Sequence, residues 1–140
     1  MTHPISFAAA GDLASTRELA DEAYRRRLDN NPMIAAMAWT EAITFARLAA
    51  ARGQSEDQTS LVYLLSSFAS WLGAQGQVAL ATTFEGQALA LAEVMAESGC
   101  DEMADMIAGS GHRLPAAVFE EARRFRDAVD RSNNQLDLTE

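Results

Sequence analysis

Carboxylates are the most concentrated groups in this chain that could do chemistry. Five of them fall between positions 93 and 105: Glu93, Glu97, Asp101, Glu102 and Asp105. Oxygen ligands at this density could hold Ca²⁺ or Mg²⁺, but the D-x-D-x-D-G spacing of a calcium-binding loop is absent from the sequence. We therefore interpret the cluster as a solvated acidic surface and expect no metal site.

Arginines form two clusters, one at Arg25, Arg26 and Arg27 and one at positions 123, 124 and 126. Such groups could clamp phosphates or carboxylates. Both clusters have acidic neighbours at helical spacing, so ion pairs within one helix are the simpler interpretation. Lysine is absent from the chain, which excludes Schiff-base chemistry and phosphate loops that depend on lysine.

Nucleophiles are few and poorly placed. Cys100 stands beside Asp101 and Glu102, and this negative setting opposes formation of a reactive thiolate. His3 and His112 lie in predicted loops, and no motif connects either of them to a serine. The sequence also lacks a glycine-rich phosphate loop, a nucleophile elbow and an H-E-x-x-H pair. We predict no catalytic residue and no cofactor.

The charge balance excludes one class of partner. The 140 residues carry a net charge of −9, which argues against nucleic-acid binding because phosphate neutralisation needs a basic face. Between Gly53 and His112 there are eight carboxylates and no arginine. This acidic centre favours a basic or amphipathic protein partner.

The longest apolar run, Met33 to Ala51, contains Glu41 and Arg47. We therefore predict no membrane-spanning segment. The N-terminus lacks the basic and long apolar regions of a signal peptide, and a single cysteine suits a reducing compartment. These features together predict a cytoplasmic protein.

Two stretches of the chain, which must position these groups, share the same pattern of residue types at a separation of 46 residues. We call residues 34–53 and 80–99 the matched segments. Small residues recur at corresponding positions of the two stretches: Ala35, Ala42, Ala46, Ala50 and Gly53, then Ala81, Ala88, Ala92, Ala96 and Gly99. Their spacing of three, four and seven predicts helices packed through alanine rows. Gly86, in the middle of the second stretch, costs about 1 kcal/mol in a helix relative to alanine, so it predicts a close helix crossing.

The whole chain follows helical periodicity, which predicts a single all-α domain. The predicted helices are about 12–29, 31–52, 57–72, 77–97, 101–108 and 116–130. Ser15 with Glu18, and Ser55 with Gln58, have the form of capping boxes, while Asn31 before Pro32 has the form of an N-cap. The helices pair as hairpins over about 12–52, 57–97 and 101–131, with a frayed polar tail at 132–140.

The third pair repeats the second at a shift of 34 residues, because Phe84, Ala88, Leu91 and Met95 are followed by Val118, Ala122, Phe125 and Val129. A helix-turn-helix unit of about 34 residues with small residues at its contacts resembles the tetratricopeptide family. The resemblance covers residues 12 to 131. The chain lacks that family's Trp, Leu-Gly and Tyr at their spacing and its closing proline. The resemblance implies stacked antiparallel hairpins with about six to seven helices; another six-to-seven-helix bundle is the alternative.

In such a stack the first helix of each unit would line a concave groove. The residues that this arrangement and the acidic centre single out for partner binding are Tyr63, Ser67, Ser70, Trp71, Glu102 and Asp105. The central aromatics are either core residues or an exposed patch. By analogy of size and charge, the chain looks like the small tetratricopeptide chaperones that hold secreted partners before export.

These observations predict a non-catalytic protein–protein interaction module, or a small chaperone or adaptor. The alternative is a small-molecule-binding regulatory or enzymatic helical bundle with a closed pocket. A homodimer that buries the 57–73 helix is compatible with both.

Overall fold

The computed structural model describes residues 12–110 and 113–138. Six α-helices account for 84% of them, and they contain no strand. The helices are α1 (Leu13–Arg26), α2 (Pro32–Ala50), α3 (Ser55–Ala74), α4 (Val78–Glu97), α5 (Asp101–Ser110) and α6 (Ala116–Leu138). The predicted all-α class is confirmed. The last helix continues past Ser132, where the sequence predicted the frayed tail to begin.

The first two helices begin with side-chain caps. Asp12 caps α1, because its carboxylate accepts hydrogen bonds from the Ser15 amide at 3.3 Å and the Ser15 hydroxyl at 2.9 Å. The hydroxyl bond is the main cause that lowers the pKa of Asp12. The predicted capping box that starts at Ser15 is therefore wrong, since Asp12 offers an acceptor one turn earlier. Asn31 caps α2 and accepts from the Met33 amide at 2.9 Å, with Pro32 as first helical residue, as predicted.

The third helix begins at Ser55, so Ser55 is a helical residue and not the predicted cap. Glycines with positive φ follow α2, α3 and α4, namely Gly53 at 87°, Gly76 at 81° and Gly99 at 101°. Other residues rarely adopt this left-handed conformation, which ends a helix. The predicted helix stops at Gly53 and Gly99 are confirmed.

The chain divides into two compact units, residues 1–64 and 65–140, which we call the N-terminal and C-terminal units. In the N-terminal unit α1 packs against α2. The Trp39 ring is buried and meets the Tyr24 ring edge-on at 5.8 Å. Leu19 and Ala23 of α1 are buried, whereas Leu28, which lies two residues beyond the end of α1, is exposed.

In the C-terminal unit α4 packs against both α5 and α6. Its core contains Leu89 and Ala90 from α4 with Val118 and Ala122 from α6. The second half of α3 joins this unit through Phe68, whose ring meets that of Phe84 at 4.8 Å.

Helix α2 passes the length and composition test for a membrane span in spite of its two charges. Buried core helices of soluble proteins pass the same test. Here the residues that α2 buries include Ala35, Trp39, Ala42 and Ile43. The absence of a membrane partner stays a prediction.

Candidate functional site

The binding residues predicted on α3 face solvent along one side of that helix. Tyr63 is 45% exposed, and Ser67 and Ser70 are also exposed. Their spacing of four and three residues puts them on one helical face. Trp71 is half-buried and stacks on Phe68 at 6.1 Å, so its ring also packs within the C-terminal unit.

The predicted acidic residues lie on α5. Glu102 and Asp105 are exposed, while Met103 between them is completely buried. Helix α5 therefore turns its carboxylates to solvent and anchors itself through a thioether side chain. Within 12–110 and 113–138, no three His, Cys, Asp or Glu side chains converge to hold a metal ion.

An apolar groove lies between α4 and α6 in the C-terminal unit. Its volume is about 250 Å³, and it is open to solvent on one side. Its lining residues are Ala90, Leu91, Val94, Phe125, Arg126, Val129 and Asp130. None of these residues was among the predicted binding residues.

The groove lies next to a point where the two helices are in close contact. A Cβ atom on Gly86 would lie 2.5 Å from Cβ of Glu121, so the backbones of α4 and α6 nearly touch there, as the predicted close crossing requires. Further along, Leu91 and Val94 face Phe125 and Val129. These larger side chains hold the helices apart.

The sequence places Val118, Ala122, Phe125 and Val129 in one apolar stripe of α6 at helical spacing. Val118 and Ala122 are buried, but Phe125 is 43% exposed and Val129 is 44% exposed. The first half of the stripe is thus buried and the second half is partly exposed. The exposed half supplies one wall of the groove.

Charged side chains border the groove. Nη2 of Arg126 donates to Oε2 of Glu97 at 2.7 Å. This hydrogen bond raises the pKa of Arg126, and the negative charges of Glu93 and Asp130 add to the effect. Asp130 lines the groove, and Glu93 and Glu97 lie near it, so three carboxylates surround this one guanidinium.

The N-terminal unit contains a polar pocket of about 190 Å³ around Arg17 and Asp57. Asp57 is buried, and both of its oxygens accept from Arg17, at 2.8 Å from Nε and 2.7 Å from Nη2. Nη2 also donates to Oε1 of Gln54 at 2.8 Å. The guanidinium and the carboxylate satisfy each other, so this arrangement serves to join α1 to the start of α3.

The arginine clusters behave in two ways. Arg124 pairs with Glu120 and Glu121 of its own helix, as the intrahelical interpretation predicted. Arg26 instead reaches Glu41 on α2 at 2.7 Å. Arg27 lies over the Tyr24 ring, 3.5 Å from its centre. Both clusters thus make contacts beyond ion pairs within one helix, because Arg126 of the second cluster pairs with Glu97 on α4.

One carboxyl group is partly removed from water. Glu85 on α4 accepts hydrogen bonds from the Ser66 hydroxyl at 3.1 and 3.2 Å. Burial raises the pKa of Glu85, and the Ser66 hydrogen bond partly opposes this shift. The arrangement ties α3 to α4 within the C-terminal unit.

The fold therefore defines an all-α protein with an apolar, acid-rimmed groove. Comparison with protein-family models, with characterised proteins and with solved structures gave no match. The resemblance to the tetratricopeptide family stays a prediction, and function must be argued from the groove itself.

Proposed function

We propose that this protein is a non-catalytic protein–protein interaction module whose C-terminal unit binds a basic, amphipathic helical segment in the groove between α4 and α6. The observation that carries this proposal is the groove itself, an open apolar channel with a negative rim. A chaperone or adaptor works through binding of this kind.

The apolar walls can supply the affinity. Val94, Phe125 and Val129 are each more than 40% exposed, so a partner that covers them can gain somewhat less than half of the about 1.5 to 3 kcal/mol that full burial of such a side chain is worth. Laying the apolar face of a helix into a groove between two helices is a common recognition mode.

The charge can supply the selectivity. Residues 65–140 contain twelve carboxylates and five arginines. Opposite charge on the partner speeds encounter and rejects acidic competitors. Glu102 and Asp105 on α5 belong to the same unit and add to its negative field.

The shape favours a protein segment over a small molecule. Small-molecule pockets usually enclose about 300 to 1,000 Å³, whereas this groove holds about 250 Å³ and is open. The groove spans little more than one turn of each helix and is open to solvent, which suits apolar side chains projected from a partner helix better than an enclosed ligand.

A defined peptide tests the proposal. The probe is a synthetic peptide of about 18 residues, or five helical turns, with leucine on one helical face and arginine on the other. A peptide of the same composition in scrambled order is the control. We expect the ordered peptide alone to bind in fluorescence anisotropy, and its association to slow as salt screens the charges over about 8 to 10 Å.

Matched variants locate the site. Val94→Ser and Phe125→Ser should each weaken binding about tenfold, which corresponds to about 1.4 kcal/mol. Val78→Ser is the control, because Val78 is an exposed valine on the same helix outside the groove. Equal binding of the scrambled peptide, or equal affinity of all three variants, would contradict the proposal.

A further inference from the structure

The outward side of α2 carries a row of exposed side chains at helical spacing. We call Met33, Met37, Thr40, Thr44 and Leu48 the α2 face. Met33 is 72% exposed, Met37 59% and Leu48 51%, and both threonines are exposed. Three large apolar side chains in one row on a 19-residue helix are unusual for a surface that meets only water.

The threonines make this face more apolar than their type suggests. The Thr40 hydroxyl donates to the Ala36 carbonyl at 2.9 Å, and the Thr44 hydroxyl donates to the Thr40 carbonyl at 2.8 Å. Both hydroxyls are thus satisfied by their own helix. The face can be covered without leaving them unbonded.

The matched segments show what covers the equivalent face of α4. The α2 face corresponds, 46 residues later, to Ala79, Thr83, Gly86, Ala90 and Val94. On α4, Gly86 and Ala90 are buried against α6, and Val94 lines the groove beside it. A helix therefore packs on this side of α4, while the same side of α2 is exposed.

We propose that the α2 face binds the α2 face of a second copy of this chain, with the two helices antiparallel about a two-fold axis near Thr40. In this arrangement the ends of the row meet, so Met33 lies opposite Leu48. Met37 lies opposite the smaller Thr44. Near the middle of the pair, the large Met37 side chain therefore packs against a smaller one. The large Met33 and Leu48 side chains meet at the two ends of the pair.

Charge favours a second copy at this surface. Residues 1–64 carry eight carboxylates and six arginines, against twelve and five in residues 65–140. Two copies that meet through the nearly balanced N-terminal unit repel each other far less than they would through the C-terminal unit.

The ends of α2 are also complementary. Asp29 precedes the helix, and Arg52 follows it. An antiparallel pair puts the acidic end of each helix beside the basic end of the other and opposes the two helix dipoles. A parallel pair would bring like charges together.

Sedimentation of the full chain tests the proposal. At tens of micromolar we expect the parent protein to sediment as a dimer and Met37→Glu as a monomer. The control variant Val78→Glu, on α4, should sediment as a dimer. A monomeric parent protein would overturn the proposal. A Met37→Glu variant that stays dimeric would overturn it as well. A third contradicting outcome is a monomeric parent protein that binds vesicles of phosphatidylcholine and phosphatidylglycerol, with this binding abolished by Met37→Glu.

Cysteine cross-linking tests the orientation. Cys100→Ser first removes the only native thiol. Thr40→Cys, close to the axis, should then form a disulfide-linked dimer on mild oxidation. Met33→Cys alone should not, because two copies of position 33 would be about 22 Å apart along antiparallel helices and a disulfide spans less than about 7 Å between Cα atoms.

The double variant Met33→Cys, Leu48→Cys should cross-link again, since these positions meet in the antiparallel pair. Cross-linking through Met33→Cys alone would show a parallel arrangement and overturn the proposed geometry. Circular dichroism of each variant confirms that the helices are retained.

Discussion

Helices α2 and α4 lie at matching positions of the sequence, 46 residues apart, one in each unit. They begin at Pro32 and Val78, and the helices that follow them begin at Ser55 and Asp101, in both cases 46 residues apart. Ala42, Ile43 and Ala46 of α2 are buried, and so are their matches Ala88, Leu89 and Ala92 on α4. The ends of the two alanine rows differ, since Ala35 and Ala50 are buried whereas Ala81 and Ala96 are half-buried.

Their outward sides differ. Thr40 of α2 is exposed, and Gly86, its equivalent on α4, is buried against α6. The cause lies in the next helix. Helix α3 continues for 20 residues, whereas α5 ends after 10 at Ser110, and the chain returns along α4 as α6. The groove is a consequence of this early return.

Helices α3 and α5, which follow α2 and α4, are anchored by different kinds of side chain. Asp57 at the start of α3 is buried and paired with Arg17, while its equivalent on α5 is Met103, which is completely buried. An ion pair with good geometry and an apolar side chain can occupy equivalent sites at similar cost. The two anchors should respond differently when they are removed.

The largest effect is expected at these anchors. Met103→Ala removes a fully buried side chain and should destabilise by about 2 to 5 kcal/mol. Asp57→Ala removes charge-assisted hydrogen bonds to a half-exposed arginine and should cost less, about 1.5 to 3 kcal/mol. Urea unfolding of both variants measures the difference. A larger loss for Asp57→Ala would show that the polar anchor is the stronger one.

An intermediate effect on the free energy of unfolding is expected where the outward faces of α2 and α4 differ. Gly86→Ala should destabilise by about 1 to 3 kcal/mol through overpacking, although alanine is the better helix former. The equivalent change Thr40→Ala should leave the free energy of unfolding of the monomer within about 0.5 kcal/mol. We would measure both by thermal unfolding at low protein concentration. If Gly86→Ala stabilises the protein, then α4 and α6 are not in close contact there.

The smallest effect is expected at Glu85, where the equivalent residue in the N-terminal unit is Trp39. Because burial raises the pKa of Glu85, the folded state binds this proton more tightly than the unfolded chain does. The stability that it contributes is therefore present below the usual pKa of 4.5 and is lost as pH rises through the raised value.

Glu85→Gln keeps an acceptor for the Ser66 hydroxyl and removes the buried charge. It should raise the melting temperature at neutral pH and lose this advantage in acid. A melting-temperature difference that is constant with pH would show that the carboxyl group is well solvated in the folded protein.

The sequence predicted the features that local rules determine. The N-cap at Asn31, the helix stops at Gly53 and Gly99 and the crossing at Gly86 each depend on one residue's backbone or size. The first capping box failed because Asp12 competes with Ser15 for the same role, and local patterns do not rank such competitors.

The candidate site was harder to predict. The pairing of Arg17 with Asp57 joins residues 40 positions apart, and no sequence pattern marks it. Phe125 and Val129 continue the periodicity of buried residues, so their exposure depends on where α6 diverges from α4. The matching of Leu91 with Phe125 at a shift of 34 was the available signal, but it indicated packing and gave no sign of a groove.

The central claim is that the groove between α4 and α6 binds a basic amphipathic helix. Titration of the ¹⁵N-labelled protein with the leucine–arginine peptide tests it most directly, because each backbone amide reports separately. We predict that the largest chemical-shift changes occur at Leu91, Val94, Phe125 and Val129. Changes concentrated instead on the side of α3 that carries Tyr63 and Ser67, with the groove amides unmoved, would contradict the account.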